Sequence, residues 1–151
     1  LGIVVNKPLQ VSLADIFEEL EITYDAKEDR KNQLPVLSGG PVEKDKGFII
    51  YDSQSEWESS IRITSEIKIC TSKTILQDIA LGKGPQNYLI ALGCAGWEAG
   101  QLEKEIMENS WLTVPAIPEL IFSQDHSSKL TNAARTLGVD IRQLPQEAGH
   151  S

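Results

Sequence analysis

The apolar run Tyr88-Leu89-Ile90-Ala91-Leu92 limits the possible folds most, because it leads without a break into Gly93-Cys94-Ala95-Gly96-Trp97. A run that does not alternate reads as a strand buried on both faces, with neighbours along its edges and cover above and below. The glycines end the strand, and a helical pattern is predicted from about Glu98 to Asn109. In it Ala99, Leu102 and Ile106 face inward and Lys104 is spaced to pair with Glu108.

Strand-like runs alternate with helical patterns along the rest of the chain, which predicts one mixed α/β domain. Leu1 to Asn6 reads as a strand stopped by Pro8. Ser12 then caps a helix whose apolar positions Leu13, Ile16, Phe17 and Leu20 repeat at three and four, with Asp15 favouring its positive start. Residues 24 to 33 are charged and aperiodic, so a surface loop is expected. Leu34 to Ser38 is a short extended run before Gly39-Gly40-Pro41, and Gly47 opens a second non-alternating run, Phe48-Ile49-Ile50-Tyr51. Ile61, Ile63, Ile67 and Ile69 share one parity against Arg62, Glu66 and Lys68, which predicts one or two half-exposed strands. Thr71 or Ser72 caps a helix with Ile75, Leu76, Ile79 and Ala80 on one face and Gly82 at its end. Trp111 to Val114 is extended, and Leu130, Ala133, Ala134 and Leu137 mark one face of a last helix ending at Gly138. The domain is expected to span 1–144, followed by a frayed tail over 145–151.

Composition excludes several functions. A length of 151 residues with 40% hydrophobic and 24% charged residues suits one domain with a sizeable core. The net charge of −8 repels phosphate backbones, so nucleic acid is a disfavoured partner. Basic residues do not pool either: Lys27, Arg30 and Lys31 sit among Asp25, Glu28 and Asp29, and Lys44 and Lys46 among Glu43 and Asp45. Cys70 and Cys94 lie in separate apolar stretches, which argues against a disulfide framework or zinc knot and for a reducing cytoplasm. No apolar run approaches the roughly 20 residues of a membrane-spanning helix, and no secretory leader is recognisable. The chain enters its first strand-like run without a Met, so an N-terminal piece is expected to be missing. Its loss would leave a strand edge able to self-associate, so a monomer or weak homo-oligomer is expected.

Two glycine-bearing turns carry the chemistry that the residues offer. In Gly93-x-x-Gly96-Trp97-x-x-Gly100-Gln101 a strand turns into a helix start, which either aims free N–H groups at an anion or only permits a close strand-to-helix approach under Trp97. Glu98 opposes an anion, and no nucleotide fingerprint is present, so no cofactor is predicted. Gly39-Gly40-Pro41 permits a sharp reversal and close approach of another backbone or a ligand. Cys94 sits at the strand-to-helix junction as a candidate nucleophile, yet its default role is a small apolar filler. His126, beside Asp125 in a Ser-rich loop, is by default exposed; a hydrolase would need it within reach of Cys94 or a serine. Two histidines far apart make a metal site improbable. Glu103 and Glu105 point to different helix faces and are no acid–base pair, though Glu103 fits the lip of a cleft beside Gly100.

Taken in order, Leu1-Gly2-Ile3-Val4-Val5-Asn6-Lys7-Pro8, Gly39-Gly40-Pro41-Val42, Gly47-Phe48-Ile49-Ile50, Gly93-Cys94-Ala95-Gly96-Trp97 with Gly100-Gln101-Leu102-Glu103, and Asn109-x-Trp111-Leu112 resemble the AlgH/YqgE family of bacterial proteins. Leu137-Gly138-Val139-Asp140 and Gly149-His150 continue the match. The resemblance implies an α+β domain with a strongly curled, barrel-like mixed sheet flanked by about four helices. It implies no established activity; members carry a transcriptional-regulator label tied to alginate production in one lineage, which the acidic charge does not support as direct DNA contact. This chain departs from the family pattern in having Cys94 where a Tyr is usual, Tyr51 where a His is frequent and Leu130 where a Trp is common. Family members also usually carry a further extended segment before the first of these motifs. The expected function is a non-catalytic binding or regulatory module, acting indirectly on a protein or small-molecule partner. Its working surface is expected in a crevice between Asn6-Lys7-Pro8, Gly39-Gly40-Pro41 and Gly93 to Gln101, with Gly96, Trp97, Gly100 and Glu103 around it. A hydrolase using Cys94 or a serine with His126 is the alternative, and direct DNA regulation is disfavoured.

Overall fold

The computed structural model describes residues 1–25, 27 and 29–140. The expected domain end, the tail and Gly149-His150 lie outside the described residues. In chain order the elements are β1 (Pro8–Ser12), α1 (Leu13–Glu19), α2 (Asp29–Asn32), β2 (Pro35–Ser38), β3 (Val42–Asp52), β4 (Ser60–Arg62), β5 (Lys68–Cys70), α3 (Lys73–Ala80), β6 (Asn87–Cys94), α4 (Gln101–Met107), α5 (Pro118–Ile121) and α6 (Lys129–Arg135). They form one α+β domain. The four longer helices, α1, α3, α4 and α6, accord with the expected number, and α2 and α5 are added single turns of four residues each.

The strand order is β1-β2-β6-β3-β5-β4, a mixed six-stranded sheet. As its apolar run requires, β6 lies inside the sheet, parallel to β2 through Leu37↔Ala91 and antiparallel to β3 through Ile49↔Ile90. The expected barrel-like closure is not supported. The order ends in β1 and β4, five and three residues long, which do not pair with each other, and so the sheet stays open.

Burial explains the non-alternating runs. On one face Ile49, Tyr51 and Ile90 pack with Phe17 of α1 and Ile75 and Ile79 of α3. On the other, Ile50, Leu89, Ala91 and Leu37 pack with Ile67, covered by Ile3, Val5, Ile121 and Phe122. Both faces of β3 and β6 are therefore apolar because both are covered. The predicted helix faces of α1 and α3 are buried as expected, apart from half-buried Ile16 and exposed Leu20. Ser12 and Asp15 form a full capping box at 3.2 and 2.8 Å, and Ser72, rather than Thr71, caps α3.

Four expectations change. Leu1 to Asn6 is no ladder strand: it makes one bridge, Gly2↔Ala95, and Pro8 begins a strand instead of ending one. A proline lacks only a donor that an edge strand does not need at its start. The loop predicted over 24–33 contains α2, and Asn32 is buried with its side-chain amide donating to the Asp25 carbonyl at 3.0 Å. The isoleucine parity breaks at a turn where Ile63 N donates to Ile67 O at 2.9 Å. Ile61 and Ile63 are exposed on the β4 side, whereas Ile67, Lys68 and Cys70 are buried because β5 lies inside the sheet. Finally, Ala99 and Ile106 are exposed, Leu102 is half-buried and α4 buries no residue; in α6, Leu130 and Leu137 are exposed and Lys129 and Ala134 are buried.

Candidate functional site

The three turns meet through their backbones. Ser38 N donates to Lys7 O, Val4 N to Gly39 O and Gly39 N to Leu92 O, each at 2.8 Å, and Gly2 and Ala95 exchange two bonds at 2.8 Å. Val42 pairs with Cys94. The glycines are what allow this approach: a Cβ on Gly39 would overlap the Gly93 carbonyl, and one on Gly40 the Cys94 carbonyl. Backbone thus fills the space directly between Gly39, Gly40 and Gly93. A groove of about 460 Å³ lies elsewhere, between β1 and α1, lined by residues such as Gln10, Asp15, Glu18 and Tyr24.

Side chains stand around this backbone floor. Asn6 is half-buried, Lys7 and Pro41 are exposed, and Gly96 has open space beside it. Trp97 is half-buried, its ring seated so that a Cβ on Gly2 would come within 2.7 Å. Gly100 starts α4 at φ 80°, and exposed Gln101 turns back to accept a hydrogen bond from Glu98 N at 3.0 Å. Glu103 is exposed in the first turn. The sequence reading missed one feature here. The charged run Glu43 to Lys46 is a bulge within β3, where the register shifts between Val42↔Cys94 and Gly47↔Leu92. Its first residue, Glu43, has φ 49°, and its carboxylate lies 3.9 Å from the buried Cys94 sulfur.

Beyond α4 the chain doubles back. Asn109 takes φ 59°, its N–H donates to Ile106 O at 3.1 Å, and Ser110 N donates to Glu105 O at 2.9 Å. This paired closure uses the orphan carbonyls of the helix end. It returns Trp111 to Trp97, ring centroids 5.9 Å apart and 70° between planes, an edge-to-face contact.

His126, expected in solvent, is buried near Val5, whose carbonyl also accepts a hydrogen bond from Lys129 Nζ at 2.8 Å. Burial, and then the Lys129 charge, holds the His126 pKa below its ordinary value, against smaller upward pulls from Asp125 and the Val5 carbonyl. Burial pushes Lys129 down to about 8. Neither ring nitrogen of His126 makes a well-formed hydrogen bond, so no nucleophile–base pair is assembled there. Among the described residues no three His, Cys, Asp or Glu side chains gather as a metal site would need, and no helix is long and apolar enough to cross a membrane.

Similarity to known proteins agrees with this architecture. Residues 1–142 match the model of the AlgH-like family. A UPF0301 protein of Nitrosospira multiformis is 41% identical over 151 residues, covering all of this chain and 80% of its own length. One from Xanthomonas oryzae is 42% identical, covering all of this chain and 79% of its own length. The solution structure of the AlgH protein of Pseudomonas aeruginosa superposes with a TM-score of 0.76 at 39% identity, over 99% of this chain and 78% of that one. A crystal structure from Corynebacterium diphtheriae, at 16% identity and a TM-score of 0.61 over 97% of this chain and 72% of that one, shares the fold alone.

Proposed function

The chain belongs to the AlgH-like family, and from that premise we propose that it is a non-catalytic binding module whose turn cluster engages a protein partner. The observation that carries this reading is the convergence of residues 2–7, 38–42 and 92–97 through short backbone hydrogen bonds, with Lys7, Trp97 and Gln101 left accessible around them. A backbone-bonded floor with accessible side chains at its rim is how scaffolds present binding residues. Small-molecule sites are typically deep concavities, whereas backbone fills the space between these glycines, so a protein fits this surface better. Any regulatory effect is then indirect, through that partner, in keeping with a net charge of −8. The free, buried cysteines are compatible with action in a reducing cytoplasm, and without its partner the chain is taken as a monomer or weak homo-oligomer.

Native mass spectrometry of the full-length protein, taken from its own cell extract, tests the reading. A stoichiometric protein partner is expected, and it is expected to be lost from a Lys7→Glu, Gln101→Arg double variant, both positions being exposed. Recovery of the protein alone, or a partner indifferent to both changes, would remove the proposal.

A further inference from the structure

We infer that His126 is a pH-operated latch: uncharged, it lets the helical turn His126–Ser128 and α6 close on Val5, and taking up a proton opens that contact. Such a latch needs no partner and so stands apart from the binding-module reading. Its geometry is that of two basic side chains crowded on one neutral oxygen. His126 and Lys129 are exposed to only 6% and 5%. Lys129 Nζ donates to the Val5 carbonyl at 2.8 Å, and both ring nitrogens of His126 are enclosed without a well-formed hydrogen bond. A neutral imidazole leaves one N–H unpaired there, whereas an imidazolium leaves two and brings a full charge. A buried charge is tolerated only when paired and hydrogen-bonded.

The neighbouring groups offer that charge little. Asp125 attracts it, but the carboxylate is exposed and its Oδ1 already accepts from Ser127 Oγ at 2.8 Å. Lys129, from α6, repels it. From residues 1–7 the ring meets the Val5 carbonyl, which the Lys129 ammonium already engages, so a bond there would set two cations against one neutral oxygen. On α5, which packs against α6, the acid is Glu119, and it is exposed.

Opening is the route left for hydrating the imidazolium, and this part of the chain is built to open. The helix α6 is seven residues long and buries only Lys129 and Ala134; a helix so short has little stability away from its packing. Ile3 and Val5 cover the same sheet face as Ile121 and Phe122, so lifting α6 together with α5 uncovers part of that apolar face. His126 titrates at its ordinary 6.5 when open and lower when closed. The open state therefore binds more protons below pH 6.5, and the opening constant rises there by up to about tenfold per pH unit until the closed form also titrates.

The test is amide hydrogen exchange of the whole chain, with intrinsic rates divided out, as pH is lowered through 6.5. The protection of Ala133 and Ala134 in α6 is expected to fall by up to about tenfold per pH unit and to be indifferent to low urea, because a local opening exposes little surface. Ile90 in β6 loses protection too, since global unfolding also frees His126, but it is expected to remain the better protected and to respond steeply to urea. His126→Phe, which keeps an aromatic ring there without a titrating group, is expected to flatten the α6 profile. The parent profile decides even if that variant does not fold. Constant α6 protection through this range, or α6 exchange as urea-sensitive as that of Ile90, would overturn the latch. A folded His126→Phe chain that keeps the parent's slope would overturn it as well.

Discussion

Gly40 and Gly96 sit a few residues from the same turn contacts and place opposite demands on the chain. A methyl group on Gly40 meets the Cys94 main chain, and the residue holds φ 152°, whereas Gly96 has nothing within 4 Å. Gly40→Ala is therefore expected to destabilise by about 3 kcal/mol or to prevent folding, and Gly96→Ala to stay within about 1 kcal/mol of the parent. Urea unfolding of the two variants checks the contrast, and equal effects would refute it. The glycine pattern was legible because close approach leaves few other residue types possible. Lys129 and His126 were not, since their burial depends on Val5, 124 positions from Lys129. Lys129 also sets a pH dependence. Its folded pKa of about 8 lies below its ordinary 10.5, so the unfolded state binds more protons between those values and stability rises with pH there. Below pH 8 the full penalty applies, and above 10.5 it is gone. Lys129→Met removes that slope and leaves a constant offset for the lost bond to Val5. The stability difference between parent and variant should therefore change across pH 8 to 10.5; a flat difference would mean that Lys129 titrates normally. His126 acts at the other end: its lowered pKa means that stability falls as pH drops below 6.5.

The helix α4 is the least anchored of the longer elements, and its closure depends on one left-handed residue. Asn109 at φ 59° accepts a glycine without strain but not a β-branched side chain. Asn109→Gly is expected to be neutral, and Asn109→Val to cost about 1–2 kcal/mol and to loosen the Trp97–Trp111 contact, read as a red shift of the tryptophan emission. Amide hydrogen exchange should also rank the elements, with β6 exchanging near the global unfolding limit and α4 far faster, because α4 has no buried side chain to hold it shut. The same difference governs what could be read in advance. Phe48 to Tyr51 and Tyr88 to Leu92 announced themselves because a strand apolar on both faces needs cover on both, which only the inside of a layered sheet provides. In α1 and α3 one apolar stripe meets a deep core. In α4 and α6 the periodicity recorded which residues were apolar, but not whether anything covers them. Leu130 carries the pattern and Lys129 takes the burial. Pro8 misled for a related reason: the residue forbids a donor, and whether that matters depends on the strand being at an edge.

Across the molecule, the open order β1-β2-β6-β3-β5-β4 brings distant turns together by pairings that no local pattern encodes. The parallel register Leu37↔Ala91 and the antiparallel register Val42↔Cys94 together put Gly39, Gly40 and Gly93 in contact. The order of the motifs pointed to the family and its α+β class, while the absence of closure between β1 and β4 emerges only from the paired strands. Charge is a property of the whole chain and was legible from the start: 22 acidic against 14 basic residues. It also bears on whether the chain would contact DNA directly. A direct regulator draws its non-specific affinity, typically about 10⁻⁴–10⁻⁶ M in Kd, from cations that displace counterions from phosphate. Here Lys68 and Lys129 are buried, and Lys104 faces Glu108. The others are interspersed with acidic residues along a chain of charge −8. The chain is therefore expected to leave duplex DNA unretarded in a gel shift even at low ionic strength, where counterion release is strongest and weak binders are most easily seen. A complex that appears at low salt and disperses as salt is added would show a phosphate-binding face despite this balance, and regulation through a protein partner would lose its main physical support.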